Sequence, residues 1–249
     1  MKKIALITGA GAGIGFQIVK SIRNKIDVLL LLDKNINALS KLTERSKLDN
    51  VISYCVDLGD LLSVEKFIKT LKKNHLYPNI LINNAGYGGS FEEVENVSLE
   101  QWDCVFNINV KSQFLLMKAF LPEMKKNKYG RIVNIASVQG FLGANKSSAY
   151  VASKHAALGL MKTVAVEAGE YGITCNSVSP GYVKTKMGVQ DDLISSHYEK
   201  IISKTPAKRI AEPSEISSLV DFLISKNAGF INGENIVVDG GLTAGVGTQ

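Results

Sequence analysis

Short apolar runs alternate with amphipathic segments along almost the whole chain. The first run covers residues 4–7 and leads through a glycine-rich turn into a segment at about 14–23 whose apolar positions have helical spacing. The same order of strand and helix then recurs. The further predicted strands are 28–32, 53–56, 80–82, 131–135, 174–178 and 235–238. The further predicted helices are 36–45, 61–73, a long helix after Ser98, 149–171 and 215–224.

This alternation predicts a parallel sheet with helices covering both of its faces. Seven parallel strands fit the pattern. No low-complexity linker, charge block or internal repeat marks a boundary within the chain. We therefore expect residues 1–249 to form a single α/β domain with a doubly wound, Rossmann-type sheet.

Composition and charge exclude several classes of function. The net charge is +6, but the lysines are spread along the chain, so we expect no nucleic-acid partner. The three cysteines lie far apart and have no metal-ligand spacing, which favours a reduced, cytoplasmic chain without a metal site. The longest apolar runs are only strand-sized, which argues against membrane insertion.

A glycine-rich turn follows the first predicted strand. It contains Gly9, Gly11, Gly13 and Gly15, and Ile14 lies at the start of the helix that follows. Free backbone N–H groups and the helix dipole favour a pyrophosphate at such a position. The spacing departs from the strict GxGxxG pattern, and glycine-rich turns also arise from packing alone. The turn therefore indicates a dinucleotide site only together with other features.

Asp33 ends the second predicted strand, eighteen residues after Gly15. A carboxylate there can accept hydrogen bonds from the adenosine ribose hydroxyls and would repel a 2′-phosphate. This favours NAD(H) as the cofactor, whereas the adjacent Lys34 keeps NADP(H) open. Asp33 could instead be an ordinary turn residue or helix cap.

Small and polar residues also follow the third and fourth predicted strands. Doubly wound sheets bind ligands at these carboxyl ends. The candidate cofactor contacts are Asp57, Leu58, Asn84, Ala85 and Gly86. Asn and Gly are also common in loops for conformational reasons alone, so turn chemistry is the alternative explanation.

Tyr150 and Lys154 lie four residues apart at the start of a predicted helix, so their side chains share one face. A neighbouring ammonium favours the phenolate, which would let Tyr150 take or give the proton of an alcohol. Ser137 follows a predicted strand, and its hydroxyl could hydrogen-bond the substrate oxygen. A Tyr and a Lys at this spacing are often only exposed surface residues, and a serine after a strand is often only a turn residue.

The helix after Ser98 has an apolar stripe that includes one amide. The stripe consists of Trp102, Val105, Phe106, Val110, Phe114, Met117 and Phe120, and Asn109 falls on it. A buried amide needs hydrogen-bond partners, whereas Asn107 lies on the opposite, polar face and needs none. Asn109 is therefore either a functional residue or a satisfied core amide that kinks the helix.

These motifs, taken in their order, resemble the short-chain dehydrogenase/reductase family over nearly the whole chain. They are TGxxxGxG, NNAG, an Asn in the helix after it, a Ser thirteen residues before the Tyr, YxxxK, and Pro180-Gly181. The resemblance implies that Tyr150 is the general acid/base and that Ser137 orients the substrate oxygen. Lys154 would hold the nicotinamide ribose and lower the pKa of Tyr150. Asn109 would position a water in a proton relay to Lys154.

The resemblance also assigns roles to the segment after the sixth strand. Its implied nicotinamide contacts are Pro180, Gly181, Val183 and Thr185. Thr185 would hydrogen-bond the carboxamide. Residues 187–209 would form a substrate lid that sets specificity. Gln139 and Tyr182 would line the substrate pocket, although each could simply pack locally. The family also implies a homotetramer, or a homodimer, built on helices at about 101–126 and 149–171.

The sequence thus predicts an NAD(P)-dependent oxidoreductase that moves a hydride between the cofactor and a secondary alcohol or ketone. Within the family it resembles reductases of 3-oxoacyl thioesters and dehydrogenases of 3-hydroxybutyrate, glucose and polyols. Asp33 argues against the NADPH that the first group usually uses. One alternative is a dinucleotide-binding regulator without turnover, which the four occupied catalytic positions disfavour. A methyltransferase is another, but it leaves Ser137, Tyr150 and Lys154 unexplained.

Overall fold

The computed structural model describes residues 1–46, 50–185 and 194–245. Its strands form one parallel sheet in the order β3-β2-β1-β4-β5-β6-β7. The strands are β1 (Ile4–Thr8), β2 (Val28–Asp33), β3 (Val51–Cys55), β4 (Ile80–Asn83), β5 (Gly130–Ile135), β6 (Ile173–Pro180) and β7 (Asn235–Val238). The predicted doubly wound, seven-stranded sheet is confirmed.

Helices cover both faces of this sheet. They are α1 (Gly13–Ile22), α2 (Ile36–Ser46), α3 (Leu61–Lys73), α4 (Leu99–Phe106), α5 (Ser112–Lys126), α6 (Ser148–Ala168), α7 (Ile194–Lys204) and α8 (Pro213–Leu223). One core cluster packs α3, α5 and α6 against the sheet, and a second packs α1, α2 and α8 against its other face. Among the described residues, no helix is long and apolar enough to cross a membrane.

The inner strands are buried on both faces, which explains why they read as continuous apolar runs. In β2, Leu30 belongs to one core cluster, whereas Leu29 and Leu31 belong to the other. A parallel sheet between two helix layers requires apolar side chains on both sides of each strand. Because β1 lies between β2 and β4, the chain changes direction across the sheet there, and a crevice opens at the carboxyl ends of β1 and β4.

The single long helix predicted after Ser98 is interrupted. A π-helical segment, Asn107–Lys111, separates α4 from α5. This segment inserts an extra residue per turn and rotates the face that follows. Val110 is only partly buried and Phe114 is 47% exposed, while Asn109, Ser112 and Gln113 are buried in their place. The predicted apolar stripe was therefore wrong at Val110 and Phe114.

Several element boundaries also differ from prediction by one to three residues, as in β3 and α6. β3 begins at Val51, two residues before the predicted start, and ends at Cys55. α6 ends at Ala168, and residues Gly169–Tyr171 form a 3₁₀ turn in place of its predicted last turn. Gly172 follows in the left-handed conformation with φ of 71°, which ends the helical path before β6.

Candidate active site

The glycine turn packs between the loops that follow β4 and β6. Gly9 and Gly13 have φ of 63° and 52°, a region that residues with a Cβ rarely adopt. A Cβ at Gly9 would lie 3.0 Å from the Ala85 Cα, and one at Gly13 would lie 3.2 Å from Thr185 Cγ2. The predicted cofactor residues at three strand ends therefore meet at one place.

The start of α1 is open to an anion. Its N-cap residue is Ala12, which has no side chain that could cap the first turn. The N–H groups of that turn therefore keep their capacity to bind phosphate oxygens, and the helix dipole adds to the attraction. Ile14 packs partly against the core, and Gly15 is buried. These features fit the pyrophosphate of a dinucleotide.

Asp33 is held rigidly beside this turn. One carboxylate oxygen accepts a hydrogen bond from Gly11 N at 2.9 Å, and the other accepts one from Asn35 N at 2.9 Å. A carboxylate has about four lone-pair sites, so both oxygens keep acceptor capacity for ribose hydroxyls. Lys34 is exposed, and its backbone carbonyl accepts a bond from the Cys55 thiol at 3.4 Å.

Asn84 braces the glycine turn from inside. Its Nδ2 donates to the carbonyls of Thr8 at 2.9 Å and of Gly9 at 3.1 Å. The Thr8 hydroxyl in turn accepts from the backbone N–H groups of Asn84 and Ala85, both at 3.0 Å. The Asn84 amide is thus engaged by backbone groups of β1 and of the turn that follows it. Thr8 was not predicted as part of the site, although it opens the TG motif.

The residues after β3 have mainly local partners. Asp57 accepts a bond from Gly59 N at 2.8 Å, and Leu58 is buried in the core. Asn107 donates to Gly59 O at 3.1 Å, and its Oδ1 is buried without a partner among the described residues. The expectation that Asn107 needs no partner was therefore wrong, because the π-helical segment turns it towards this loop.

Tyr150 and Ser137 are brought together at the carboxyl end of β5. Their side chains share a hydrogen bond that lowers the pKa of Tyr150, but burial raises this pKa by more. The pKa of Tyr150 is therefore raised, contrary to the lowering expected from Lys154, because the phenolate loses hydration on burial. Ser137 Oγ also accepts from Gln139 N at 3.1 Å, which fixes the hydroxyl in the turn.

Lys154 is a buried lysine beside this pair. Its Nζ donates to Ile135 O at 2.9 Å and lies 5.5 Å from the centroid of the Tyr150 ring. Burial lowers the pKa of Lys154 to about 8. A Cβ placed at Gly86 would be 3.5 Å from Lys154 Nζ and 3.6 Å from Asn109 Oδ1. Gly86 therefore lies in van der Waals range of both Lys154 and Asn109.

Asn109 is fully buried, and its amide binds backbone and a hydroxyl. Its Oδ1 accepts from Tyr87 N at 2.8 Å, and its Nδ2 donates to Tyr87 O and to Ser153 Oγ, both at 2.9 Å. Both amide protons are therefore in use. Tyr87 and Ser153 were missed from the sequence, since no pattern there distinguishes them from ordinary loop and helix residues.

The segment after β6 is fastened to the start of α8. Lys184 N donates to Ala211 O, and Ala211 N donates to Tyr182 O, each at 2.9 Å. Val183 forms a bridge with Ala211, and Pro180 ends β6 before the exposed loop. Gly181 N donates to Val238 O at 3.0 Å. These bonds hold Tyr182 and Thr185 at the same edge of the sheet as the glycine turn.

Part of the predicted lid lies outside the described residues, namely 187–193. The rest consists of α7 and the segment 205–209, where Ala207 N donates to Gly240 O at 3.1 Å. In the described ranges no group of three or more His, Cys, Asp or Glu could hold a metal ion. Gln139 follows the Ser137 turn, and its Oε1 has no partner among the described residues.

Comparison with known proteins identifies close relatives over the whole chain. A family model described as enoyl-(acyl carrier protein) reductase matches residues 9–243. The chain is 36% identical over 241 residues to 3-oxoacyl-(acyl-carrier-protein) reductase FabG of Buchnera aphidicola subsp. Schizaphis graminum, with 97% of each chain covered. It is 31% identical over 261 residues to D-beta-hydroxybutyrate dehydrogenase of Rhizobium meliloti, with 98% of this chain and 100% of that protein covered.

A solved structure extends this similarity to the fold. The structure of 4-hydroxyisoleucine dehydrogenase complexed with NADH superposes with a TM-score of 0.91 at 34% identity. The superposition covers 98% of this chain and 100% of that one. The similarity therefore extends over the whole fold of both chains.

Proposed function

Because this chain belongs to the short-chain dehydrogenase/reductase family, we propose that it transfers a hydride between NAD(H) and a secondary alcohol or ketone at a site formed by Ser137, Tyr150 and Lys154. The chain is an oxidoreductase that acts on CH–OH groups, as its relatives are. The observation that carries the site assignment is the proximity of the Ser137 and Tyr150 side chains next to the buried Lys154.

The two hydroxyls suit one substrate oxygen. In alcohol oxidation, Tyr150 accepts the hydroxyl proton while the C–H bond of the same carbon breaks. Ser137 donates to the oxygen and stabilises the charge that develops on it. When Lys154 is protonated, its ammonium stabilises the phenolate form of Tyr150. When bound, the oxidised nicotinamide supplies the hydride acceptor and a positive charge near the phenol.

The glycine turn, Asp33 and the segment from Pro180 to Thr185 would hold the dinucleotide. Its pyrophosphate suits the uncapped start of α1, and its adenosine ribose suits Asp33. We propose NAD(H) as the preferred cofactor, since the fixed carboxylate disfavours a 2′-phosphate. Asp57, Leu58, Asn84, Ala85 and Gly86 would border the same crevice. Val183 and Thr185 would lie at the nicotinamide carboxamide.

The substrate is proposed from the relatives as a small hydroxy or keto compound, such as a hydroxy acid, a polyol or a 3-oxoacyl thioester. Gln139 and Tyr182 would line its pocket, and residues 187–209 would cover it as a lid on the single domain. A homotetramer is proposed on α5 and α6. Its support is that these helices expose Phe114 and Val166, the latter 85% exposed.

Ligand titration followed by a turnover assay tests this function. We expect NADH to quench protein fluorescence at lower concentration than NADPH, and S-adenosylmethionine to have no effect. A panel of secondary alcohols with NAD at alkaline pH should then yield NADH from at least one of them. Binding of NADH without oxidation of any alcohol, and without reduction of the matching ketones, would favour a regulatory dinucleotide-binding protein. Binding of S-adenosylmethionine alone would favour a methyltransferase.

A further inference from the structure

We propose that Ser153 is a positioning residue for hydride transfer, linking Asn109 to the helix that carries Tyr150 and Lys154. This inference rests on the proposed function, because it concerns how the same site is held together. Ser153 is fully buried, directly before Lys154 in α6. Its hydroxyl accepts from Asn109 Nδ2 at 2.9 Å and donates to the Tyr150 carbonyl at 2.7 Å.

The donor and acceptor of each hydrogen bond around Ser153 are fixed. A backbone carbonyl can only accept, so the single proton of the Ser153 hydroxyl goes to Tyr150 O. The hydroxyl oxygen must then accept from Asn109, whose Nδ2 has a second proton directed to Tyr87 O at 2.9 Å. Neither Asn109 nor Ser153 can reverse its role without leaving a buried group unpaired. The linkage therefore holds one geometry.

Asn109 reaches the catalytic helix through Ser153. Its Oδ1 already accepts from Tyr87 N at 2.8 Å, and both of its amide protons are committed. One amide thus joins three parts of the site, which are the loop after β4, the π-helical segment and the first turns of α6. Among the described residues, Asn109 is hydrogen-bonded to α6 through Ser153 alone.

Loss of this hydroxyl would loosen α6 against the π-helical segment. Removing it leaves an Asn109 N–H without a partner in a buried position, which costs the desolvation of that group. In α6, Tyr150 lies about one turn before Ser153 and Lys154 directly follows it. Small displacements of reacting groups have large effects on rate. We therefore expect the substitution to act on turnover more than on cofactor binding.

The test compares Ser153→Ala with Ser217→Ala. Ser217 is also buried in a helix, and its hydroxyl likewise donates to the carbonyl three residues earlier, Ser214 O, at 3.1 Å. It lies in α8 with no bond to the proposed catalytic groups. Ser153→Ala should lower kcat about tenfold, the equivalent of one buried hydrogen bond, with the Kd for NADH within about twofold of wild type. Ser217→Ala should change neither.

The pH profile separates positioning from simple loss of stability. The Ser153 hydroxyl also bonds the Tyr150 carbonyl, so its loss should shift the turn that carries the phenol relative to the ammonium. The ammonium then supports the phenolate less well, and the acid limb of alcohol oxidation should move to higher pH in Ser153→Ala. In an Asn109→Ala background, Ser153→Ala should lower kcat much less than it does in wild type, since the hydrogen bond between the two side chains is already lost. If Ser153→Ala does not fold, Ser153→Cys, which keeps a weak donor and acceptor, should show a smaller effect in the same direction.

The inference would be overturned if the unsubstituted protein oxidises alcohols and the Ser153 variants have the same kcat and pH profile as wild type. That outcome would leave the proposed function intact. Equal losses from Ser153→Ala in the wild-type and Asn109→Ala backgrounds would overturn the inference as well. If the unsubstituted protein binds NADH but turns over no alcohol or ketone, the proposed function fails first and this inference fails with it.

Discussion

Asp33 accepts a hydrogen bond from the backbone N–H of Gly11 at 2.9 Å, so the carboxylate at the end of β2 is fixed across the glycine turn at the end of β1. Its second oxygen is fixed by Asn35 N. A carboxylate with both oxygens anchored has little freedom to turn away from an approaching phosphate. The same anchoring leaves lone pairs for ribose hydroxyls, so the turn and the charge act together on cofactor choice.

Replacing Asp33 with Ala should therefore shift the preference from NADH towards NADPH. Loss of a charged acceptor and relief of repulsion should change the ratio of the two dissociation constants by about tenfold or more. Fluorescence titration with each cofactor measures this ratio. Asp27→Ala is the matched control. Asp27 directly precedes the start of β2, and its carboxylate accepts a hydrogen bond from Lys3 N. An unchanged ratio in Asp33→Ala would contradict the assignment of Asp33 to the adenosine ribose.

Tyr150→Phe should remove most turnover while NADH affinity stays close to wild type. The substitution deletes only the hydroxyl that bonds Ser137, so the ring still fills its place in the partly buried site. General acid/base catalysis contributes about 10²- to 10⁴-fold, and we expect kcat to fall within that range. Tyr171→Phe, in the 3₁₀ turn that follows α6, should leave both quantities unchanged. Turnover near wild type in Tyr150→Phe would exclude the phenol as the acid/base.

Lys154→Met should abolish activity but increase stability at pH 7. Burial lowers the pKa of Lys154 from 10.5 to about 8, so below pH 8 the fold carries the cost of a buried charge. Removing it should raise the free energy of unfolding by up to about 3 kcal/mol. Denaturant unfolding measures this gain, and Lys162→Met, exposed on the same helix, should change stability by less than about 0.5 kcal/mol.

The pH dependence of this gain has a defined sign. Between about pH 8 and 10.5 the unfolded chain holds a proton on Lys154 that the folded chain has released. Wild-type stability should therefore rise relative to the variant as the pH increases through this window, and the gain should disappear above it. A gain that is independent of pH would mean that packing, and not the buried charge, determines the effect.

The fold could be predicted from the sequence because strands such as β1, β2 and β4 are apolar on both faces and the helices mostly on one. The interruption at Asn107–Lys111 could not. Apolar residues continue at helical spacing through Val110 and Phe114, so periodicity alone favours an unbroken helix. In the π-helical geometry Asn109 bonds Tyr87 and Ser153, which are 22 and 44 residues away, so a local pattern does not contain these contacts.

The same distinction applies to the candidate site. Tyr150, Lys154 and Ser137 were predictable because their residue types carry chemistry at a spacing that a helix and a strand end bring together. Ser153 and Thr8 were not, because a serine in a helix or a threonine at a strand end has many ordinary uses. Their roles depend on long-range partners such as Asn84, which a single sequence does not reveal.

Asn84→Ala should weaken NADH binding by loosening the glycine turn. The substitution removes the two bonds from Nδ2 to the carbonyls of Thr8 and Gly9. Asn79 provides a matched control, because its amide makes two backbone bonds at the other end of β1, to Ile4 N and Lys2 O. Both variants should lose about 1–3 kcal/mol of stability, but only Asn84→Ala should raise the Kd for NADH. An equal rise in the Kd for NADH in both variants would indicate general destabilisation and not a specific effect on the glycine turn.

Gln113 is buried in α5 at 2% exposure, and neither polar atom of its amide has a partner among the described residues. It lies one turn before Leu116 and Met117, which pack on the sheet beside Leu81 and Ile132. Asn83 and Asn134, two residues further along those strands, hydrogen-bond each other at 2.8 Å, and within the described ranges Asn83 Oδ1 and Asn134 Nδ2 have no partner. These three buried amides thus have four polar atoms without a partner among the described residues.

Gln113→Met should stabilise the protein, because it keeps the shape of the side chain and removes the unpaired amide. The free energy of unfolding should rise by about 1–2 kcal/mol, measured by denaturant titration. Gln17→Met is the control, since the partly exposed amide of Gln17 can bind water, and it should change stability by less than about 0.5 kcal/mol. A loss of stability in Gln113→Met would instead mean that the amide is hydrogen-bonded to internal water.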